Sequence, residues 1–132
     1  MLNNELLDVY INNEYAFIPG GLGSLNIVDI SNPSNTVVTG TCKSQNCAWG
    51  KLNSWSVFED YAYGSGRDCG IEVIDISDIS NPLFANNIGE SNTRYEHSEV
   101  QGNYLFTARH QKGIEVFSLV NPSHPTSIGL IN

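Results

Sequence analysis

Basic side chains are scarce in this sequence: six Lys and Arg stand against 14 Asp and Glu, a net charge of −8. An acidic balance of that size repels phosphate backbones and anionic headgroups, which argues against nucleic acid or a membrane surface as the main partner. Long apolar runs are missing as well. No stretch approaches the ~20 apolar residues that a membrane-crossing helix needs, so no membrane insertion by a helix is expected. The opening residues, MLNNELLDVY, carry neither a basic leader nor an apolar segment, so no signal peptide is expected within them. They leave the compartment undetermined.

Cysteine is sparse and odd in number: Cys42, Cys47 and Cys69 cannot all pair within one chain. Cys42 and Cys47 fall in one loop, close enough in sequence for a disulfide; the expected state is three free, partly buried thiols. With a histidine, the three form the weak metal candidate. Their Cys-x₄-Cys spacing is unusual for zinc and no second close pair supports it, so no metal and no cofactor are expected. Signatures of common chemistry are also lacking. The Gly-rich stretch Pro19–Ser24 has no Lys-Ser/Thr after it and precedes a strand rather than a helix, so it is not a phosphate loop. There is no Gly-x-Ser-x-Gly elbow, and no nucleophile has an evident His partner.

Present instead is repetition. Three segments share an ending: LNIVDISNP from Leu25, IEVIDISDISNP from Ile71 and IEVFSLVNP from Ile114. Ahead of each lies a second match, at Tyr15, Tyr61 and Tyr104, spaced 46 and 43 apart; Ile27, Val73 and Val116 keep the same spacing. Pro33, Pro82 and Pro122 are 49 and 40 apart, which reads as three extra residues (Asp78, Ile79, Ser80) in the second repeat. A period near 43 is that of a propeller blade. Each repeat reads as four short strands. The first lies around 9–11, 55–58 and 98–101 and the fourth around 37–39, 84–88 and 126–129. Polar hairpins, Gly-containing loops and Asn-Pro turns connect them. Strands two and three are β-branched or aromatic on both faces, as sandwiched strands are. No helical apolar period competes. Asp29 and Asp75, at equivalent strand ends, are expected to bond the turn that follows, with Ser118 a weaker substitute.

The pattern Tyr-Ala-Tyr, then Gly-Ile-Glu-Val-Ile-Asp-Ile-Ser, then Asn-Pro resembles the LVIVD repeat family over nearly the whole chain. The second repeat matches best, while the third departs at Phe117-Ser118. The resemblance implies an all-β propeller fold. It also implies a bacterial or archaeal source and an extracellular or cell-surface setting, without an assigned activity.

The expected architecture is therefore one all-β domain of three four-stranded antiparallel blades, about 1–47, 48–90 and 91–132. Propellers close with four to eight blades, so three blades are expected to form half of a six-bladed ring. The repeat alignment sets Met1 opposite Glu90, so both ends are expected to fall between blades, with no spare strand for closure by exchange. The expected partner is a second copy, in a two-fold homodimer that sets blade three of each chain on blade one of the other.

A four-stranded meander sends its loops alternately to two rims. The rim formed by 19–24, 41–54, 64–70, 90–98 and 108–113 collects all six basic residues against three acids, a balance of +3, and leaves the rest of the chain at −11. Loops on a rigid scaffold are where binding concentrates. Arg67, Arg94, Arg109, His110, Lys112 and Trp49 are thus the candidate ligand-binding residues, for a small anionic or mixed-charge ligand or an acidic protein surface. Three functions compete. The leading one is a non-catalytic binding or assembly module. The second is an enzyme, hydrolase or lyase in type, with a pore site of His97, Glu99 and Arg94, where an imidazole beside carboxylates can act as a base. The third is a purely structural segment of a surface protein.

Overall fold

Short apolar bursts punctuated by Gly, Asn and Asp fold as strands joined by tight turns. The computed structural model describes residues 8–20, 24–46 and 52–132. Blade one consists of β1 (Tyr10–Asn12), β2 (Tyr15–Gly20), β3 (Ser24–Asp29) and β4 (Val37–Lys43). Blade two consists of β5 (Leu52–Phe58), β6 (Tyr61–Gly66), β7 (Ile71–Asp75) and β8 (Leu83–Ile88). Blade three consists of β9 (His97–Gln101), β10 (Tyr104–Ala108), β11 (Ile114–Ser118) and β12 (Thr126–Ile131). Each sheet is an antiparallel meander in chain order. The fold is all-β, three propeller blades in series. Strand four runs further than expected, because β4 stays paired with β3 out to Lys43 opposite Ser24, and β12 with β11 out to Ile131 opposite Ile114.

The repeat is more regular in space than along the sequence. The hairpins β1–β2, β5–β6 and β9–β10 close on Asn12–Tyr15, Phe58–Tyr61 and Gln101–Tyr104. Their first turn residues, Asn13, Glu59 and Gly102, all have positive φ (54°, 51° and 57°). Asp29 and Asp75 accept from the amides of Ser31 and Ser77 at 2.9 Å, as expected, and Ser118 accepts from Val120 N at 3.4 Å.

The following turn corrects the alignment of the prolines. Asn35 N donates to Asn32 O, Asn81 N to Asp78 O and His124 N to Asn121 O. Asp78-Ile79-Ser80-Asn81 therefore occupies the place of Asn32-Pro33-Ser34-Asn35 and of Asn121-Pro122-Ser123-His124. Repeat two has no insertion there. Pro82 matches Pro125, and Ile79 replaces proline because a side-chain acceptor at the first position and any residue tolerating the turn at the second suffice. The extra residues of the 46-residue spacing fall in the β4–β5 connection.

The core lies between blades. Phe17, Leu25 and Ile27 of blade one pack with Trp55, Val57, Ala62 and Ile74 of blade two. Tyr63, Ile71 and Val73 on the other face of blade two pack with Leu105, Phe117 and Leu119 of blade three, and with Tyr95. Blade two is consequently buried on both faces. In blade three, β10 alternates exposed and buried, so one face is covered and the other is open.

Candidate functional site

The β6–β7 and β10–β11 connections emerge on one rim together with the link between blades two and three, and these segments carry Arg67, Arg94, Arg109 and Lys112. In blade three the β10–β11 loop closes with Arg109 N donating to Gly113 O at 2.8 Å and Lys112 N to Arg109 O at 2.7 Å, winding one 3₁₀ turn over His110–Lys112. This loop, the link between blades two and three and the tip of the β6–β7 loop enclose a cleft of about 400 Å³. Its lining includes Asp68, Asn92, Arg94, Arg109, His110 and Lys112. Three of them, Asp68, Asn92 and His110, hold positive φ (59°, 60° and 41°), whereas the other described non-glycine residues with positive φ are the hairpin residues Asn13 and Glu59. Backbone held in so sparsely populated a region is a common property of functional loops.

Four of the six predicted binding residues, Arg94, Arg109, His110 and Lys112, thus line one cleft. Arg67 is exposed beside Asp68 but outside the lining, and Trp49 lies outside the described residues. The cations are not free. Arg94 Nε lies 2.5 Å from Glu96 Oε1, and His110 Nδ1 lies 3.0 Å from the same oxygen. Arg109 Nη2 donates to Glu90 Oε2 at 2.6 Å, and Lys112 Nζ reaches that oxygen at 3.4 Å and Thr93 Oγ1 at 3.0 Å. Arg109 Nε approaches Glu115 Oε2 at 3.3 Å without hydrogen-bond geometry. The guanidinium is only 4% exposed, so Arg109 ties the rim together rather than reaching out of it. Hydrogen bonds from Thr93 first, then Lys112, hold the Glu90 carboxyl below the usual carboxylate range. Tyr95 completes the network: its hydroxyl accepts from Glu90 N at 3.0 Å and donates to Glu115 Oε2 at 2.8 Å, and burial pushes it up to about 12. At the cleft the basic excess legible along the chain becomes, in space, a mixed-charge surface in which Glu90 and Glu96 lie against Arg94, Arg109, His110 and Lys112.

His97 and Glu99 sit elsewhere. His97 Nε2 lies 3.0 Å from Glu99 Oε1 and Nδ1 lies 3.9 Å from Asp8 Oδ2. With Phe106, Ala108 and Ile114 they line a recess of about 160 Å³ on the open face of blade three. Arg94 belongs to the rim cleft, so the three candidates for pore chemistry are not brought together.

The cysteine expectation needs correction. Cys69 is disulfide-bonded and buried among core residues although its loop neighbours Arg67 and Asp68 are exposed, while Cys42 is a free, half-buried thiol that does not pair with Cys47. Burial first, and the Glu72 charge second, push the Cys42 thiol up. Cys47 lies outside the described residues. Among the described residues no group of three or more His, Cys, Asp or Glu is placed to hold a metal ion.

Two residues carry more structure than their sequence suggested. Glu72 is fully buried, and its Oε1 accepts from Ser44 Oγ at 2.5 Å, Gln45 N at 3.0 Å and Asn46 N at 2.9 Å. Glu115, at the same place in blade three, takes Tyr95 Oη, Arg109 and, at 2.7 Å, Ser127 Oγ. Each glutamate anchors the link that leads into the inner strand of its own blade. The signal was available: Ile-Glu-Val occurs at 71–73 and 114–116, an acid inside an otherwise apolar strand.

The sequence model of the family described as "LVIVD repeat" matches residues 7–44, 50–89 and 99–132, most of the chain and one segment for each blade. The search of curated proteins found no match to the chain. With its three matched repeats each folded as one four-stranded blade, the chain belongs to the LVIVD repeat family.

Proposed function

We propose that this chain is a non-catalytic assembly and binding module. In this reading it self-associates through the open face of blade three into a two-chain, six-bladed ring, and its rim cleft takes a small anionic or zwitterionic ligand or an acidic partner segment. One observation carries the assembly. Phe106 and Ile114 are 38% and 41% exposed, while their counterparts on blade two, Tyr63 and Ile71, are fully buried under the next blade. Apolar faces of this kind mark association surfaces. Two copies of three blades fall within the four to eight of closed propellers, and a two-fold arrangement leaves no face uncovered.

Light scattering coupled to size exclusion is expected to give twice the 14.5 kDa chain mass, and Phe106→Glu to give a folded monomer. A parent protein that stays at one-chain mass at tens of micromolar ends the reading.

The paired charges of the rim support a ligand that offers both signs or exchanges with Glu96 at Arg94. With citrate and glutamate as probes, chemical-shift perturbations by NMR are expected around Arg94 and Lys112 and are expected to vanish in Arg94→Glu. Binding that survives this change places the ligand elsewhere. The separation of His97 and Glu99 from Arg94 supports binding over catalysis.

A further inference from the structure

The two blade contacts within the chain are built the same way, and they specify a third. Along the row Tyr10–Phe17–Ile27–Gly40 of blade one, the turn of blade two docks so closely at Gly40 that a Cβ there would collide with the Ile79 carbonyl oxygen. Along the matching row of blade two, Ser56–Tyr63–Val73–Asn86, the turn of blade three docks in the same way. Tyr63 Oη donates to Pro122 O at 2.7 Å and Asn86 Nδ2 to Ser123 O at 3.3 Å. Ile79 and Pro122 are equivalent turn positions, and the equivalent in blade one is Pro33.

The matching row of blade three is Glu99–Phe106–Val116–Gly129. Among the described residues nothing lies within 4 Å of where a Cβ at Gly129 would stand. Glycine weakens a strand, and within one it often marks where another backbone comes close. All three sheets break register at this point, between Ile27/Val28, Val73/Ile74 and Val116/Phe117, and Asn86 occupies the place in blade two. The backbone therefore does not itself require glycine at 129. Its role at Gly40 is to admit the turn of the next blade, and Gly129 offers the same space unfilled.

The complementary half is present on blade one. Positions Trp55 and Val57 of blade two are 1% and 7% exposed where they meet the preceding blade, yet their counterparts Val9 and Ile11 are 55% and 54% exposed. Ala16 and Val28 beside them are buried, so the incoming surface is the inner strand and the turn rather than the whole sheet.

We infer that the seat at Gly129 receives the turn Asn32-Pro33-Ser34-Asn35 of a second copy of this chain, with that copy's Val9 entering the recess between Glu99 and Phe106. The inference rests on the assembly reading above and adds its register. Both tests use the full chain. Gly129→Leu fills the seat, and it is expected to give a folded protein at one-chain mass while the parent is a dimer. Leucine is the better strand former, so a merely incidental glycine would leave the dimer intact and the protein no less stable. In a Cys42→Ser background, the pair Ser34→Cys and Ile128→Cys treated with a short bismaleimide is expected to give a covalent two-chain species. Either change alone is not. A parent dimer that tolerates Gly129→Leu and gives no such cross-link overturns the register and leaves the assembly standing. A monomeric parent overturns both.

Discussion

Glu72 shows how one side chain can hold a link between blades. One carboxylate oxygen accepts three donors from residues 44–46, and the other is buried with no hydrogen-bond partner among the described residues. Removing the acceptor breaks one hydroxyl and two amide bonds to it. Hydrogen bonds to charged groups contribute roughly 1.5–3 kcal/mol each, less where exposed donors such as those of Gln45 and Asn46 regain water. Glu72→Ala is expected to lower the urea unfolding free energy by about 2–3 kcal/mol. Glu72→Gln keeps the accepting oxygen and is expected to cost less than half as much. Equal losses in the two variants would mean that the side chain acts through its bulk alone. This role was only partly legible beforehand. An acid between Ile71 and Val73 stands out, but its partners lie 26 to 28 positions away, and only folding brings them to it.

Turns carry much of the order of each blade. The hairpins force a positive φ on Glu59, where Gly102 stands in blade three. Glycine adopts that region without the steric cost that a Cβ imposes. Glu59→Gly is therefore expected to stabilise by about 0.5–1 kcal/mol, read as a higher denaturant midpoint at unchanged slope; a loss of stability would mean that the glutamate side chain makes a compensating contact. Acid stability belongs to the turns and the rim. Hydrogen bonds from Ser31 to Asp29, from Ser80 to Asp78 and from Thr93 to Glu90 hold these carboxyls below their usual range. Folded values below unfolded ones give a stabilisation that is present above the usual carboxylate range and is lost as pH falls through the folded values. On the basic side, burial raises Tyr95 to about 12 from 10.0 and also raises Tyr63, so the native state loses stability as pH climbs from the ordinary phenol value. Calorimetry is expected to show a plateau in Tm from about pH 5 to 9 with a decline on either side. A Tm still rising below pH 4 would contradict the acid limb. Strand order and the Asp29 and Asp75 turns were legible because they depend on neighbours in sequence. The placement of Pro82 was not, because Asn-Pro in sequence looks alike whether the proline opens a turn or ends one.

In the molecule as a whole, the proposed assembly sets a second copy of the chain against the exposed apolar residues of blades one and three. The expected mass of two chains, abolished by Phe106→Glu, tests that directly. Repetition, strand periodicity and turn chemistry are local, and the sequence alone was enough to establish three blades of four strands and their order. Which surface of each blade is covered, which cations meet which carboxylates and which cysteine enters a disulfide depend on contacts between residues tens of positions apart. Arg109 illustrates the difference. Along the chain it reads as an exposed basic loop residue, and in the fold it is a buried tie between Glu90 and Glu115. The hydrophobic pattern specifies that a face must be buried, but it does not specify against what. Packing of one blade on the next settles that for blade two and for one face each of blades one and three, and leaves the same demand open at Val9 and Ile11 of blade one and on the outer face of blade three.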